Sequence, residues 1–129
     1  MRNILEQQKS YMEFYNKLSK DEQKYIDAYS NFDYLFIKYN KVIFKVSKLK
    51  NNQCYIGGLI SLEKGEGRRV FDWFVKNNPH DYSIFRLNCI GNKLREYYEN
   101  IGFKVLYSMP SADIKGETFY EMIYYKDKK

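Results

Sequence analysis

The sequence predicts a mixed α/β fold, one domain over residues 1–129, built on a mostly antiparallel sheet with one parallel seam. Three observations carry this. Two helical segments precede three strand-like runs joined by tight turns. The third run enters a Gly-x-Gly bend that opens a helix. A strand, a helix and two last strands follow, and a strand that returns after a helix implies a right-handed crossover to a parallel partner.

In residues 4–18, Ile4, Leu5, Tyr11, Met12, Tyr15 and Leu18 fall at helical spacing with charged residues between them. Ser19-Lys20-Asp21-Glu22 fits a capping box that opens a second short helix through Tyr25, Ile26 and Tyr29, ended by Asn31. From Asp33 the period becomes alternating. Residues 34–39, 42–49 and 53–62 form a meander turned at Asn40-Lys41 and Asn51-Asn52. Gly57 and Gly58 mark a bulge or a ligand lying against the backbone. Val70, Phe71, Trp73, Phe74 and Val75 make an apolar helix packed on the sheet and closed by Asn77-Asn78-Pro79. Residues 81–90 form the returning strand. Residues 92–101 form a helix with Leu94, Tyr97, Tyr98 and Ile101 on one face and Gly102 at its C′ position. Residues 103–108 and 117–125 form two strands joined by a polar loop containing Pro110, and the tail from Lys126 is solvated.

At 129 residues the chain supports a single core. It has no run of membrane-spanning length and no cleavable leader at its start, so a cytoplasmic location is expected. Cys54 and Cys89 sit in strand-like apolar runs, as small core residues do. With a lone His80 they give no metal-ligand spacing, so no metal is expected. The net charge of +6 favours an anionic partner. The basic residues are dispersed among acids with no base-reading motif, which places nucleic acid last among such partners. Fourteen tyrosines exceed the needs of one small core. They imply either a tyrosine-rich protein-binding face or a coding bias.

The stretch Leu59-Ile60-Ser61-Leu62-Glu63-Lys64-Gly65-Glu66-Gly67-Arg68-Arg69 reads as strand, turn and helix start. Unpaired N–H groups of the first helical turn, with Arg68 and Arg69 beside them, suit a phosphate. A Gly-x-Gly by itself is more often a plain turn. A parallel seam also directs a ligand to the carboxyl ends of its strands, so the bend at Gly65 and the strand end at Asn88 are expected beside one crevice.

The segment Tyr98-Glu99-Asn100-Ile101-Gly102-Phe103, taken with Gly65-Glu66-Gly67-Arg68 and the order of elements, resembles the GNAT superfamily of acyl-CoA-dependent N-acyltransferases, whose later helix ends in Tyr-x-x-x-Gly-Phe. The resemblance implies a GNAT-like sheet with helices on both faces and acetyl-CoA as co-substrate. It assigns the coenzyme's diphosphate to Gly65, Glu66, Gly67, Arg68 and Arg69, and backbone pairing with the pantetheine arm to Leu59, Ile60 and Ser61. It makes Tyr98 the acid that protonates the leaving thiolate, a role suited to a phenol whose ordinary pKa is about 10. Asn88 becomes a contact for pantetheine or acceptor. The family's asparagine falls on Gly91 with Asn92 one place off, so Asn92 is a further cofactor contact. The chain departs from the family at Leu62, where Gln or Arg is usual, and at Leu94, where a small residue is. No carboxylate lies within the third strand. Glu63 is the nearest candidate base, and a salt bridge beside the basic turn explains it equally well.

The resemblance therefore implies an N-acetyltransferase acting on a primary amine of a small molecule or protein. The missing base and the tyrosine excess leave a second reading open, a GNAT-fold domain that binds a protein partner without turnover.

Overall fold

A computed structural model describes residues 4–77 and 80–126. Its element order is α1 (Ile4–Tyr15), α2 (Lys20–Gln23), β1 (Tyr34–Lys38), β2 (Val42–Leu49), β3 (Gln53–Ser61), α3 (Glu66–Asn77), β4 (Ile84–Ile90), α4 (Asn92–Ile101), β5 (Lys104–Pro110) and β6 (Thr118–Tyr125). This is the expected order. The helix stop expected at Asn78 and Pro79, the chain start and the tail beyond Lys126 lie outside the described residues. The six strands form one sheet in the order β1-β2-β3-β4-β6-β5, in which only β3 and β4 run parallel. The second hairpin turn forms at Asn51-Asn52 as expected, and the first lies one residue earlier than expected, at Tyr39-Asn40. Positive φ at Tyr39 and Asn40, and at Asn51 and Asn52, supplies the twist that tight hairpin turns require, in loops of three residues between Lys38 and Val42 and between Leu49 and Gln53.

β2 explains why helices cover both faces. Its first five residues are all buried. Val42, Phe44 and Val46 join α3 and α4 in the larger core, while Ile43 faces Tyr11 and Phe14 of α1 in the smaller one. In the larger core Phe44 meets Phe71 and Phe74 edge-on, with ring centroids 5.4 and 5.1 Å apart. Such pairs add about 0.5–1.5 kcal/mol beyond the area they bury.

Several boundaries differ from expectation for physical reasons. α2 has four residues and stops at Gln23. Beyond it the Asp27 and Ser30 carbonyls accept from buried Lys45 Nζ at 3.1 and 3.0 Å, and the Ala28 carbonyl accepts from Gln8 Nε2 at 3.1 Å. Asp27 Oδ1 accepts the N–H groups of Tyr29 and Ser30, both at 3.1 Å. These tertiary and local partners replace the helix ladder. Ile4 and Leu5 of α1 are exposed, and Phe14 is buried instead. α3 begins at Glu66, so Gly67 lies inside its first turn rather than before it, and Trp73 stays half exposed beneath Lys38 Nζ, 5.3 Å from its ring. β5 extends to Pro110 as an edge strand, where a missing N–H costs no ladder bond. The surplus tyrosines divide: Tyr29, Tyr39, Tyr107 and Tyr125 are exposed on separate elements, while Tyr11, Tyr82 and Tyr98 are buried.

Burial pushes the thiols of Cys54 and Cys89 up from 9.0 to about 12 and raises the phenols of Tyr11 and Tyr98 above their ordinary value. Above about pH 9 the unfolded chain releases protons that the native state retains, so this stabilisation is complete below that pH and is lost as pH rises. Each such group lowers the unfolding free energy by about 1.4 kcal/mol per pH unit between its two pKa values. Urea unfolding is therefore expected to give equal midpoints at pH 7 and 8 and a clearly lower one at pH 10. An unchanged midpoint at pH 10 would contradict the burial of these groups.

Candidate active site

The site begins with a defect in β3. Ile43 pairs with Ile60 and Lys45 with Gly57, so two residues, Gly58 and Leu59, oppose Phe44 alone. This is the bulge expected at the paired glycines. Gly58 takes φ +60, and its carbonyl accepts the Tyr11 hydroxyl at 2.6 Å. A bulge bends its strand away from the neighbour. The parallel pairing of β3 and β4 is accordingly confined to Gln53 with Ile84, Cys54 with Phe85 and Tyr55 with Arg86, although β3 runs on to Ser61 and β4 to Ile90. Where the ladder ends, Asn88 Nδ2 donates to the Tyr55 hydroxyl and ties the two strands across the gap.

The gap opens into a cavity of about 820 Å³. One wall is β3, with Gly58, Leu59 and Ser61. Opposite stand Asn88, Cys89 and Ile90 of β4 and the start of α4, with Asn92, Lys93 and Leu94. Tyr97 and Tyr98 lie behind them. Asp21, Glu22, Tyr25 and Ile26 from the α2 region, with Glu117, close the remaining side.

Tyr98 is 7% exposed, and its ring packs on Phe71, Tyr97 and Phe103 with centroids 5.5, 5.1 and 6.0 Å away. Its hydroxyl has no hydrogen-bond partner among the described residues. Every fully enclosed side-chain nitrogen or oxygen among those residues is partnered, so the Tyr98 hydroxyl is not completely enclosed, and Tyr98 lines the cavity. Burial raises its pKa and keeps it protonated. Tyr97 lies nearer the helix start. Burial pushes it up to about 12, against the opposing pull of Arg68, and its hydroxyl is 3.5 Å from where a Cβ on Gly67 would stand.

Of the expected site residues, Leu59, Ser61, Asn88, Asn92 and Tyr98 line the cavity. Ile60 turns its side chain into the smaller core and is 1% exposed, which leaves only its backbone for any ligand. Gly65, Glu66, Gly67, Arg68 and Arg69 form the amino end of α3 beside the cavity rather than on its wall. Within that end the Gly67 N–H donates to Ser61 Oγ at 3.0 Å, the Glu66 N–H donates to the Glu63 carbonyl at 3.2 Å, and Ser61 Oγ donates to the same carbonyl at 2.7 Å. A Cβ on Gly67 would meet Ser61 Cβ at 2.7 Å, so this glycine makes room for the serine. Arg68 and Arg69 are exposed, and Arg69 reaches Glu66 at 3.9 Å. Glu63 is half exposed, pairs with Lys41 at 2.6 Å and is not on the cavity wall. Asn92 Oδ1 accepts from the Tyr120 hydroxyl. Sequence reasoning missed Tyr25, Tyr97 and Glu117. Periodicity places Tyr97 only on the apolar face of its helix, and no local signal marks Tyr25 and Glu117, which meet across 92 residues of chain.

Among the described residues no three His, Cys, Asp or Glu are placed to hold a metal, and no helix is long and apolar enough to cross a membrane. No protein-family model and no curated protein sequence matches the chain. Solved structures do. The aminoglycoside 6′-N-acetyltransferase of Enterococcus faecium is 11% identical and superposes with a TM-score of 0.57 over 74% of this chain and 72% of its own. An acetyltransferase of Bacillus subtilis in complex with CoA is 11% identical, with a TM-score of 0.55 over 71% and 74%. A chimera of the spermidine N-acetyltransferase of Vibrio cholerae is 13% identical, with a TM-score of 0.53 over 66% and 59%. At such identity the likeness is one of architecture, and with its order of elements, its bulged third strand and its single opened parallel seam the chain has the fold of the GNAT acetyltransferases.

Proposed function

We propose that the chain transfers an acetyl group from acetyl-CoA to a primary amine. The observation that carries this is the opening between β3 and β4 with Tyr98, its hydroxyl protonated and without a partner among the described residues, on the wall. The unpaired edge of β3 from Gly58 to Ser61 offers backbone groups to an amide-bearing chain by strand addition, and a backbone N–H of that edge stabilises the oxyanion formed at the thioester. In the reaction the amine nitrogen bonds to the acyl carbon, the carbon–sulfur bond breaks, the nitrogen gives up a proton to water, and Tyr98 protonates the departing thiolate and regains its own proton from water.

The diphosphate end is assigned to the start of α3. Two of its N–H groups are already committed, to Ser61 and Glu63. The Arg68 N–H and the exposed Arg68 side chain are left for an anion, the exposed Arg69 side chain shares its charge with Glu66 at 3.9 Å, and the helix dipole favours negative charge there. Glu63, held by Lys41, has no part in this reading. Its support beyond the fold is that the Bacillus subtilis neighbour was solved with CoA.

Acetyl-CoA at about a hundred times its Kd should stabilise the protein by about 2.7 kcal/mol, a rise in Tm of several degrees. Arg68→Glu with Arg69→Glu, both at exposed positions, should leave the ligand-free Tm near its original value and abolish most of that rise. No Tm change at millimolar acetyl-CoA would end the proposal.

A further inference from the structure

Glu117 is the unused group with the most to explain. Tyr25, on the same side of the cavity, donates to its Oε2 at 3.2 Å. Its Oε1 lies 3.3 Å from where a Cβ on Gly91 would stand, so glycine at that position gives the carboxylate its room. A carboxylate accepts about four hydrogen bonds, and Tyr25 satisfies one. Among the described residues no cation lies within ion-pair distance of Glu117. That is notable in a chain of net charge +6.

The charges around it point the same way. Asp21 and Glu22 line the same cavity, whereas Lys93 is the one cation among the described lining residues. Asp21 is shared with Lys24 at 3.3 Å, and Glu22 closes the capping box of α2 by accepting the Ser19 N–H at 2.9 Å. Glu117 is thus the anion left over. The same cavity is lined by the second indication of a ligand, buried Tyr98, whose hydroxyl is not completely enclosed and has no partner among the described residues.

We propose that Glu117, held in place by Tyr25, is a subsite for an acceptor that carries a second positive charge besides the amine that is acylated. This rests on the acyl-transfer reading. A nucleophilic nitrogen must be neutral when it attacks, so a carboxylate that holds a permanent ammonium engages a different nitrogen and sets the distance of the reacting one from the thioester. A charge-assisted bond of this kind contributes about 1.5–3 kcal/mol, enough to decide which amines are selected.

The test uses two probes of related chemistry and different charge, spermidine and n-butylamine, titrated calorimetrically into the full chain without cofactor, with acetyl-CoA titrated in parallel. Spermidine is expected to bind at least about tenfold more tightly than butylamine, since tenfold corresponds to about 1.4 kcal/mol. Glu117→Gln should bring the two amines to nearly equal affinity while acetyl-CoA binds as before. Tyr25→Phe, which keeps the ring and frees the carboxylate, should reduce the preference partly, and it serves as the readout if Glu117→Gln fails to fold. Equal affinities in the wild-type protein would overturn the subsite. So would a preference that persists in both variants; if Glu117→Gln then lowers only the Tm, the carboxylate serves the amino end of α4. A spermidine preference without acetyl-CoA binding would keep the subsite and remove acyl transfer, and acetyl-CoA binding without the preference would do the reverse.

Discussion

Replacing Tyr98 by phenylalanine is expected to cut thiol release from acetyl-CoA by about a hundredfold or more while leaving Tm and acetyl-CoA affinity close to wild type. The magnitude is that of a positioned acid, about 10²- to 10⁴-fold. The separation of effects follows from geometry. Phe71, Tyr97 and Phe103 pack on the ring, which phenylalanine retains. The lost hydroxyl has no partner among the described residues, so its removal strands no buried donor or acceptor, the usual source of destabilisation. Because burial raises the phenol's pKa, the wild-type rate should increase with pH as the amine loses its proton and should show no decline near pH 10 from ionisation of the acid. A decline there, or equal rates in the two proteins, would assign the proton to another group. Tyr97, pushed up to about 12 on the same wall, is the first alternative, and Tyr97→Phe is the companion variant.

The largest stability effect is expected at Gly58, where alanine should cost about 3 kcal/mol. Two costs add. A φ of +60 disfavours any Cβ by about 1–2 kcal/mol. That Cβ would also stand 2.1 Å from the Tyr11 hydroxyl and 3.0 Å from its Cζ. Tyr11 is fully buried, donates to the Gly58 carbonyl and carries Lys45 Nζ 4.5 Å from its ring centre, so it has no empty space to move into. Overpacking of this kind costs about 1–3 kcal/mol. The sum is a large share of the roughly 5–15 kcal/mol that holds a domain together and should lower Tm by about 10 °C. Gly65→Ala is the control: its φ of +84 is strained, but no atom lies within 4 Å of the added carbon, so about 1 kcal/mol is expected. Equal losses at the two positions would show that the contact with Tyr11 contributes nothing. If Gly58→Ala folds, a weakened acetyl-CoA response would connect the bulge to the opening of the seam.

The paired glycines of β3, the Gly-x-Gly bend and the Tyr98 to Phe103 helix ending were legible because each is a short-range backbone demand. A bulge, a turn and a helix end need particular residues at fixed spacing. The parallel seam was legible from order alone, since a strand returning after a helix has few right-handed ways to pack. What the turn does was not legible. Ser61 already accepts the Gly67 N–H and fills the space that glycine leaves, a side-chain placement that a Gly-x-Gly spacing does not specify. Glu63 stands near the motif in sequence, yet its partner is Lys41 of the first hairpin. The end of α2 was misjudged because the apolar spacing of Tyr25, Ile26 and Tyr29 suits a helix, while Lys45 and Gln8, distant in sequence, claim the carbonyls that a helix would need.

By itself the sequence determined the order of elements and marked the glycines where the third strand departs from regular pairing, because periodicity and backbone restrictions act over a few residues; Tyr98 was marked by the resemblance of its helix ending to the GNAT superfamily. Only the tertiary structure decided which charges face the cavity. Glu117 and Tyr25 meet there, Glu63 turns away from it, and Lys45 is buried on the other face of the sheet. A charged side chain takes its role from the solvent it loses and the partners it finds, and both are set by segments that are remote along the chain.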